Sequence, residues 1–89
     1  MKIKDGFVLR KVSEAYVVVA VGNEVSDFNG MITLNETGAF LWENLTSGVE
    51  NASELLEKML AEYDVPEEVA KKDIEVFVKK LIEAKVLEL

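Results

Sequence analysis

The 89-residue sequence contains no cysteine, no histidine and a single proline. Without cysteine the fold cannot depend on disulfides, and without thiolates or imidazoles the chain lacks the usual ligands of zinc and other transition metals. The absence of histidine also removes the most common general base, together with every Ser-His and Cys-His dyad. We therefore expect that this chain is not an enzyme and that it holds no metal and no cofactor.

Long hydrophobic runs are missing as well. The longest strongly apolar stretch, residues 15–21, is far too short to span a bilayer. The charged segment at residues 1–6 is not followed by the apolar region of a secretory signal. These absences predict a cytoplasmic protein with no membrane association.

The hydrophobic content is nevertheless high for a short chain. Hydrophobic residues make up 49% of the sequence, which is enough for one packed core, whereas the length leaves no room for a second. We predict a single domain over residues 1–89.

Charge is unevenly distributed along the chain, whose net charge is −7. Residues 35–65 contain one basic residue, Lys58, against seven acidic ones. An acidic central segment opposes contact with a phosphate backbone, so we expect no nucleic acid partner. The acidic residues themselves are interpreted as a solvated face, because glutamate is seldom buried.

Apolar and β-branched runs separated by turn residues predict three strands, at residues 7–12, 15–21 and 31–34. A meander places the second strand in the centre, which suits a run that is apolar on both faces. In the loop at residues 22–30, we expect Val25 and Phe28 to pack on the core.

Capping residues predict three helices after the strands. Asn35 is a suitable N-cap for the first and Gly48 a C-cap, while Gly38 inside it indicates close approach to another element. Asn51 or Ser53 begins a second helix that ends near Tyr63. The third is expected to begin with Pro66 at its first position and to end near residue 84, before an extended tail at 86–89. The order is β-β-β-α-α-α.

The predicted third helix has a core stripe and an unusual flank. At about 100° per residue, one narrow stripe collects the apolar residues Ala70, Ile74, Phe77, Leu81 and Ala84, widened by Val78 and Ile82. Val69 and Val76 fall outside this stripe, on a flank that they share with Asp73 and Lys80. The valine pair is either the rim of the core or one wall of a groove.

The predicted third strand, at residues 31–34, raises a similar question. It lies at a sheet edge, yet it has no charge and no proline to block pairing with another strand. Such an edge is either covered by another element or kept open for an added strand. If it is open, the space between it and the Val69–Lys80 flank is a candidate binding groove.

A motif at the junction of the third strand and the first helix resembles one known family. The sequence from Met31 to Trp42 reads MITLNETGAFLW, and it is similar to the PqqD family pattern Leu-Asn-x-Thr-Gly-x-x-hydrophobic-Trp. The pattern is met by Leu34, Asn35, Thr37, Gly38, Leu41 and Trp42. The resemblance continues to the last helix and so covers nearly the whole chain.

This resemblance implies an α+β, winged helix-turn-helix-like fold with a three-stranded antiparallel sheet followed by three helices. It also implies a function: PqqD-like proteins bind the leader of a ribosomally made precursor peptide as an added strand and present it to a modifying enzyme, often a radical S-adenosylmethionine enzyme. The expected peptide-binding residues are Met31, Ile32, Thr33, Leu34, Val69, Asp73, Val76 and Lys80. The motif from Leu34 to Trp42 is interpreted as structural rather than as a contact surface.

Two other functions are compatible with the pattern. A winged-helix DNA-binding or regulatory domain would have a similar architecture, although the five lysines from Lys71 to Lys85 are offset by acidic neighbours. The chain could also be an inert structural subunit whose open edge is buried by a larger enzyme. Self-association through that edge is a further possibility.

Overall fold

The computed structural model describes residues 1–21 and 32–88. The expectations for Val25, Phe28, Met31 and Leu89 lie outside these described residues. Within them, the chain forms four strands, then three helices, then a fifth strand. The predicted α+β class and the three-stranded antiparallel sheet followed by three helices are both confirmed.

The main sheet is an antiparallel meander of β2 (Phe7–Val12), β3 (Ala15–Ala20) and β4 (Ile32–Leu34), with β3 in the centre. A two-residue connection at Ser13 and Glu14 joins the first pair, and Ser13 has a positive φ of 60°. The second strand was expected to include Val21, but β3 ends one residue earlier.

The helices are α1 (Glu36–Ser47), α2 (Ala52–Glu62) and α3 (Glu67–Glu83). The predicted N-caps are confirmed: the side-chain oxygen of Asn35 accepts from the Gly38 N–H at 2.8 Å, and that of Asn51 accepts from the Glu54 N–H at 3.1 Å. Gly48 ends α1 with φ 92°, as a C-cap glycine does.

The expected start of α3 was wrong by one residue. Pro66 was predicted at the first helical position, but it is the N-cap, with extended φ −61° and ψ 141°. Proline has no N–H and no side-chain acceptor, so it supplies no capping hydrogen bond here, although its carbonyl accepts from the Ala70 N–H at 3.0 Å.

The second sheet was not predicted, although the extended tail that supplies one of its strands was. It pairs β1 (Lys2–Ile3) with β5 (Leu87–Glu88), antiparallel, with Ile3 opposite Leu87. Lys85, at φ 61°, turns the chain back after α3 so that β5 can reach β1. The predicted extended tail is therefore a strand that fastens the first residues to the last helix.

One core lies between the main sheet and the three helices. It includes Val18 from β3, Leu41 and Trp42 from α1, Leu55 from α2 and Leu81 from α3. Trp42 is thus a core residue, as expected. The predicted core stripe of α3 needs one correction, however. Ile82 was expected to widen the stripe, but its side chain is 42% exposed, because it lies too far round the helix to reach the core.

Candidate functional site

The outer edge of β4 is unpaired in the sheets formed by the described residues. The Val21 N–H donates to the Gly6 carbonyl at 2.7 Å, which fixes the phase of the β2–β3 ladder. Bonded and non-bonded pairs alternate in an antiparallel ladder, so the odd-numbered residues of β3, like Val21, direct their N–H and C=O groups towards β2. The even-numbered residues of β3 direct theirs towards β4. Tyr16 and Val18 of β3 therefore bond the residues opposite them in β4.

Those residues are Leu34 and Ile32, and between them Thr33 stands opposite Val17. The register thus directs the N–H and C=O of Thr33 away from β3, towards the open edge. This backbone pair is the position at which an added strand would form hydrogen bonds.

A cleft of about 680 Å³ opens beside this edge. Its walls are the end of β4 with the start of α1, the near flank of α3, and the turn between β2 and β3. The lining residues are Glu14, Ala15, Thr33, Leu34, Asn35, Thr37, Gly38, Leu41, Lys72, Asp73, Val76, Phe77 and Lys80.

The base of the cleft is apolar. Leu34, Leu41 and Phe77 line it with side chains that belong to the core, so the base is supported from below. Val76 lines it too, but its side chain is 58% exposed. An exposed valine beside buried leucines is apolar surface that an occupant could cover.

Charged side chains stand at the solvent side of the same cleft. Lys72, Asp73 and Lys80 of α3 are exposed on one wall, and Glu14 of the hairpin is exposed on another. Because the charged groups remain in water, they would affect the selectivity of the cleft and the rate at which an occupant arrives more than the strength of its binding.

The structure brings five of the eight predicted site residues together as cleft lining: Thr33, Leu34, Asp73, Val76 and Lys80. Two described residues stand elsewhere. Ile32 faces the core and is 8% exposed, and Val69 is 50% exposed outside the cleft lining, about two turns before Val76 on the same flank.

Sequence reasoning missed part of the lining. The Leu34–Trp42 motif was interpreted as structural only, yet Asn35, Thr37, Gly38 and Leu41 also line the cleft. Spacing could have indicated this, because Thr37 and Leu41 are four residues apart and so share one face of α1. Lys72 and Phe77 complete the α3 wall, and Phe77 serves the core and the cleft at once.

Gly38 explains why the strand and helix meet so closely. A Cβ at this position would lie 3.1 Å from the Leu34 Cβ and 3.3 Å from the Asn35 side-chain oxygen. The expected close approach is therefore confirmed, and its partner is the last residue of β4.

Two other kinds of site are not formed by the part of the chain that the structure describes. It contains no cluster of three or more aspartates and glutamates that could hold a metal ion. None of its helices combines the length and apolar character needed to cross a bilayer.

Two solved structures have a similar fold. "TbiB1 in Complex with the TbiA(beta) Leader Peptide" superimposes with a TM-score of 0.74 at 24% identity, covering 99% of this chain and 95% of that chain. "Lasso peptide synthetase B1 complexed with the leader peptide" gives a TM-score of 0.67 at 21% identity, covering 92% and 89%. A search of curated protein sequences gave no significant match.

The family resemblance drawn from the strand–helix motif is confirmed at the level of the sequence. The profile of the family described as "Coenzyme PQQ synthesis protein D (PqqD)" matches residues 14–87, which run from the β2–β3 turn to the start of β5. This chain belongs to the PqqD family.

Proposed function

We propose that this chain is a non-catalytic adaptor that binds the leader of a ribosomally made precursor peptide and presents it to a modifying enzyme. The observation that carries the proposal is the outward backbone of Thr33 beside a cleft with an apolar base. Backbone hydrogen bonds supply affinity in strand addition, while side-chain pockets supply specificity.

The geometry supports one kind of peptide as the occupant. A strand added to β4 presents alternate side chains to opposite faces. One set turns towards Leu34, Leu41 and Phe77, and the other turns to solvent. The leader segment is therefore expected to be extended, free of proline where it bonds Thr33, and apolar at every second position.

The proposed binding set is the Met31–Leu34 edge together with Val69, Asp73, Val76 and Lys80. Thr33 contributes backbone groups, and Val76 contributes exposed apolar surface at the cleft. Val69 extends the flank for a peptide that continues towards the start of α3.

The partners follow from this role. The precursor peptide is the first, by analogy with the two structural neighbours, both of which hold leader peptides. The second is the modifying enzyme, for which we propose the radical S-adenosylmethionine class, and the place of action is the cytoplasm. Nucleic acid is not among the partners, because the acidic residues of α3 offset its lysines.

Nuclear magnetic resonance titration tests the proposal. The isotope-labelled protein is titrated with the synthetic leader of each short precursor peptide found by reading the neighbouring genes. We expect shifts at Thr33, Val76 and their neighbours in the cleft. Absence of shifts there at millimolar peptide would refute strand addition at this edge.

A pair of matched variants makes the test specific. Val76 and Val12 are each 58% exposed, but Val76 lines the cleft and Val12 ends β2, two strands from the open edge. Val76→Asp places a charge against the apolar base and should weaken leader binding by about tenfold or more. Val12→Asp should leave the affinity unchanged.

A further inference from the structure

A second groove lies on the opposite flank of α3, between that helix and α2. It encloses about 600 Å³, and none of its residues lines the cleft beside β4. The lining residues are Ala52, Ser53, Leu56, Lys71, Ile74, Glu75, Val78, Lys79, Ile82 and Glu83.

The groove has an apolar centre formed mainly by α3. Ile74, Val78 and Ile82 are spaced four residues apart and so form one row along the helix, facing Leu56 of α2. Ile74 is buried, whereas Ile82 at the other end is 42% exposed. The row is thus apolar surface that is only partly covered by the chain itself.

A row of charges runs beside the apolar one. Lys71, Glu75, Lys79 and Glu83 also follow one another at four-residue intervals, and their signs alternate. If a second copy of α3 lies antiparallel to the first about a two-fold axis near residue 77, each of these residues meets one of opposite sign. Lys71 then stands opposite Glu83 of the second copy, and Glu75 opposite Lys79.

We infer that this groove is the interface of a symmetric homodimer, occupied by α3 of a second copy. The antiparallel arrangement matters, since a parallel pairing in register would place like charges opposite one another. A two-fold interface has to be complementary to itself, and an alternating charge row beside an apolar row has that property. The inference is independent of the leader-binding proposal.

The charge row has a simpler explanation that the experiment must exclude. Alternating signs at four-residue spacing also stabilise a single helix, by about 0.2–0.5 kcal/mol per pair. Intrahelical pairs need no second copy, and their effect does not depend on protein concentration.

Sedimentation equilibrium over a concentration series at low salt distinguishes the two explanations. Wild-type protein should show concentration-dependent dimers. Lys79→Glu and Glu75→Lys should each weaken association at least tenfold, because each places like charges across the two-fold axis. An equimolar mixture of the two variants should recover dimers, since the two carboxylates of the first variant then face the two ammonium groups of the second.

The controls lie on the other flank of the same helix. Lys80→Glu and Asp73→Lys change the net charge by the same amounts but leave the groove intact, so their association should match that of the wild type. Circular dichroism checks that every variant is folded. Wild-type protein that stays monomeric, or a mixture that does not recover dimers, would overturn the inference.

The same experiment separates this dimer from pairing through the open sheet edge. Thr33→Pro removes a donor from that edge and should not alter association through α3. Dimers abolished by Thr33→Pro but unaffected by Lys79→Glu would assign the interface to β4 instead. A dimer formed through α3 leaves both clefts open, so it should bind two leader peptides.

Discussion

Replacing Thr33 by proline is the sharpest perturbation of the proposed peptide-binding edge. The register places Thr33 at a non-bonded position of the β3–β4 ladder, so its N–H is not used within the sheet. Proline removes that N–H and is tolerated on edge strands where the N–H faces outward. The same change at Ile32 or Leu34 would break bonds to β3 and damage the fold instead.

The magnitude follows from the hydrogen bond that is lost. One net hydrogen bond contributes about 0.5–1.5 kcal/mol, and leaving the leader carbonyl buried without a partner costs about 1–3 kcal/mol. We expect a total loss of about 1–3 kcal/mol, which corresponds to a roughly 5- to 150-fold higher Kd. The stability of the free protein should change little, because no bond to β3 is removed.

The assay is fluorescence anisotropy with a labelled leader peptide, alongside urea unfolding of each variant. Thr33→Val is the matched control: it keeps the N–H and the β-branched shape while removing the hydroxyl. If Thr33→Pro and Thr33→Val bind the leader with equal affinity, strand addition at Thr33 is refuted, because only the first variant lacks the N–H. Equal loss of affinity in both variants would show instead that the side chain is the contact.

Three further predictions concern stability. Gly38→Ala should destabilise the protein by up to about 2 kcal/mol in urea unfolding. The new Cβ would lie 3.1 Å from the Leu34 Cβ, and the overpacking cost of about 1–3 kcal/mol is partly offset by a gain in helix propensity of about 1 kcal/mol. Asn35→Ala and Asn51→Ala should each lower the free energy of unfolding by about 1 kcal/mol in the same assay, because each removes an N-cap. Asp at either position should retain most of that stability. Partial burial raises the pKa of Tyr63 above its usual value. The contribution of Tyr63 to stability is therefore complete below about pH 10 and is lost as the pH rises through the higher pKa of the folded state. Unfolding curves recorded from about pH 8 to 11.5 measure this loss, and Tyr63→Phe should remove it.

Local signals account for the part of the fold that the sequence predicted. The bounds of α1 follow from the sequence, because its N-cap Asn35 and its C-cap Gly48 depend on residues nearby in the chain. The close approach at Gly38 is likewise to a residue only four positions earlier. The pairing of β1 with β5 does not follow. It joins residues 2–3 to residues 87–88, and strands of two residues are too short to show a period.

The candidate site was predictable in outline because two of its three walls, the β4 edge and the flank of α3, break a local rule. An unprotected edge strand and valines outside the core stripe are visible in the sequence. Which backbone groups of the edge are free is not visible, because it depends on the phase of the β2–β3 ladder. The bond between the Val21 N–H and the Gly6 carbonyl fixes that phase in the structure.

The family motif and the proposed binding edge are parts of one structural unit. Asn35 continues the extended backbone of β4 and caps α1, and Gly38 lets the helix pack directly on Leu34. These contacts hold the end of β4 in place before any peptide arrives. Since ordering a flexible edge on binding would reduce affinity, a motif that fixes the edge supports binding in addition to any contact that its own residues make in the cleft. Asn35→Ala should therefore weaken leader binding more than Asn51→Ala, although both remove an equivalent cap.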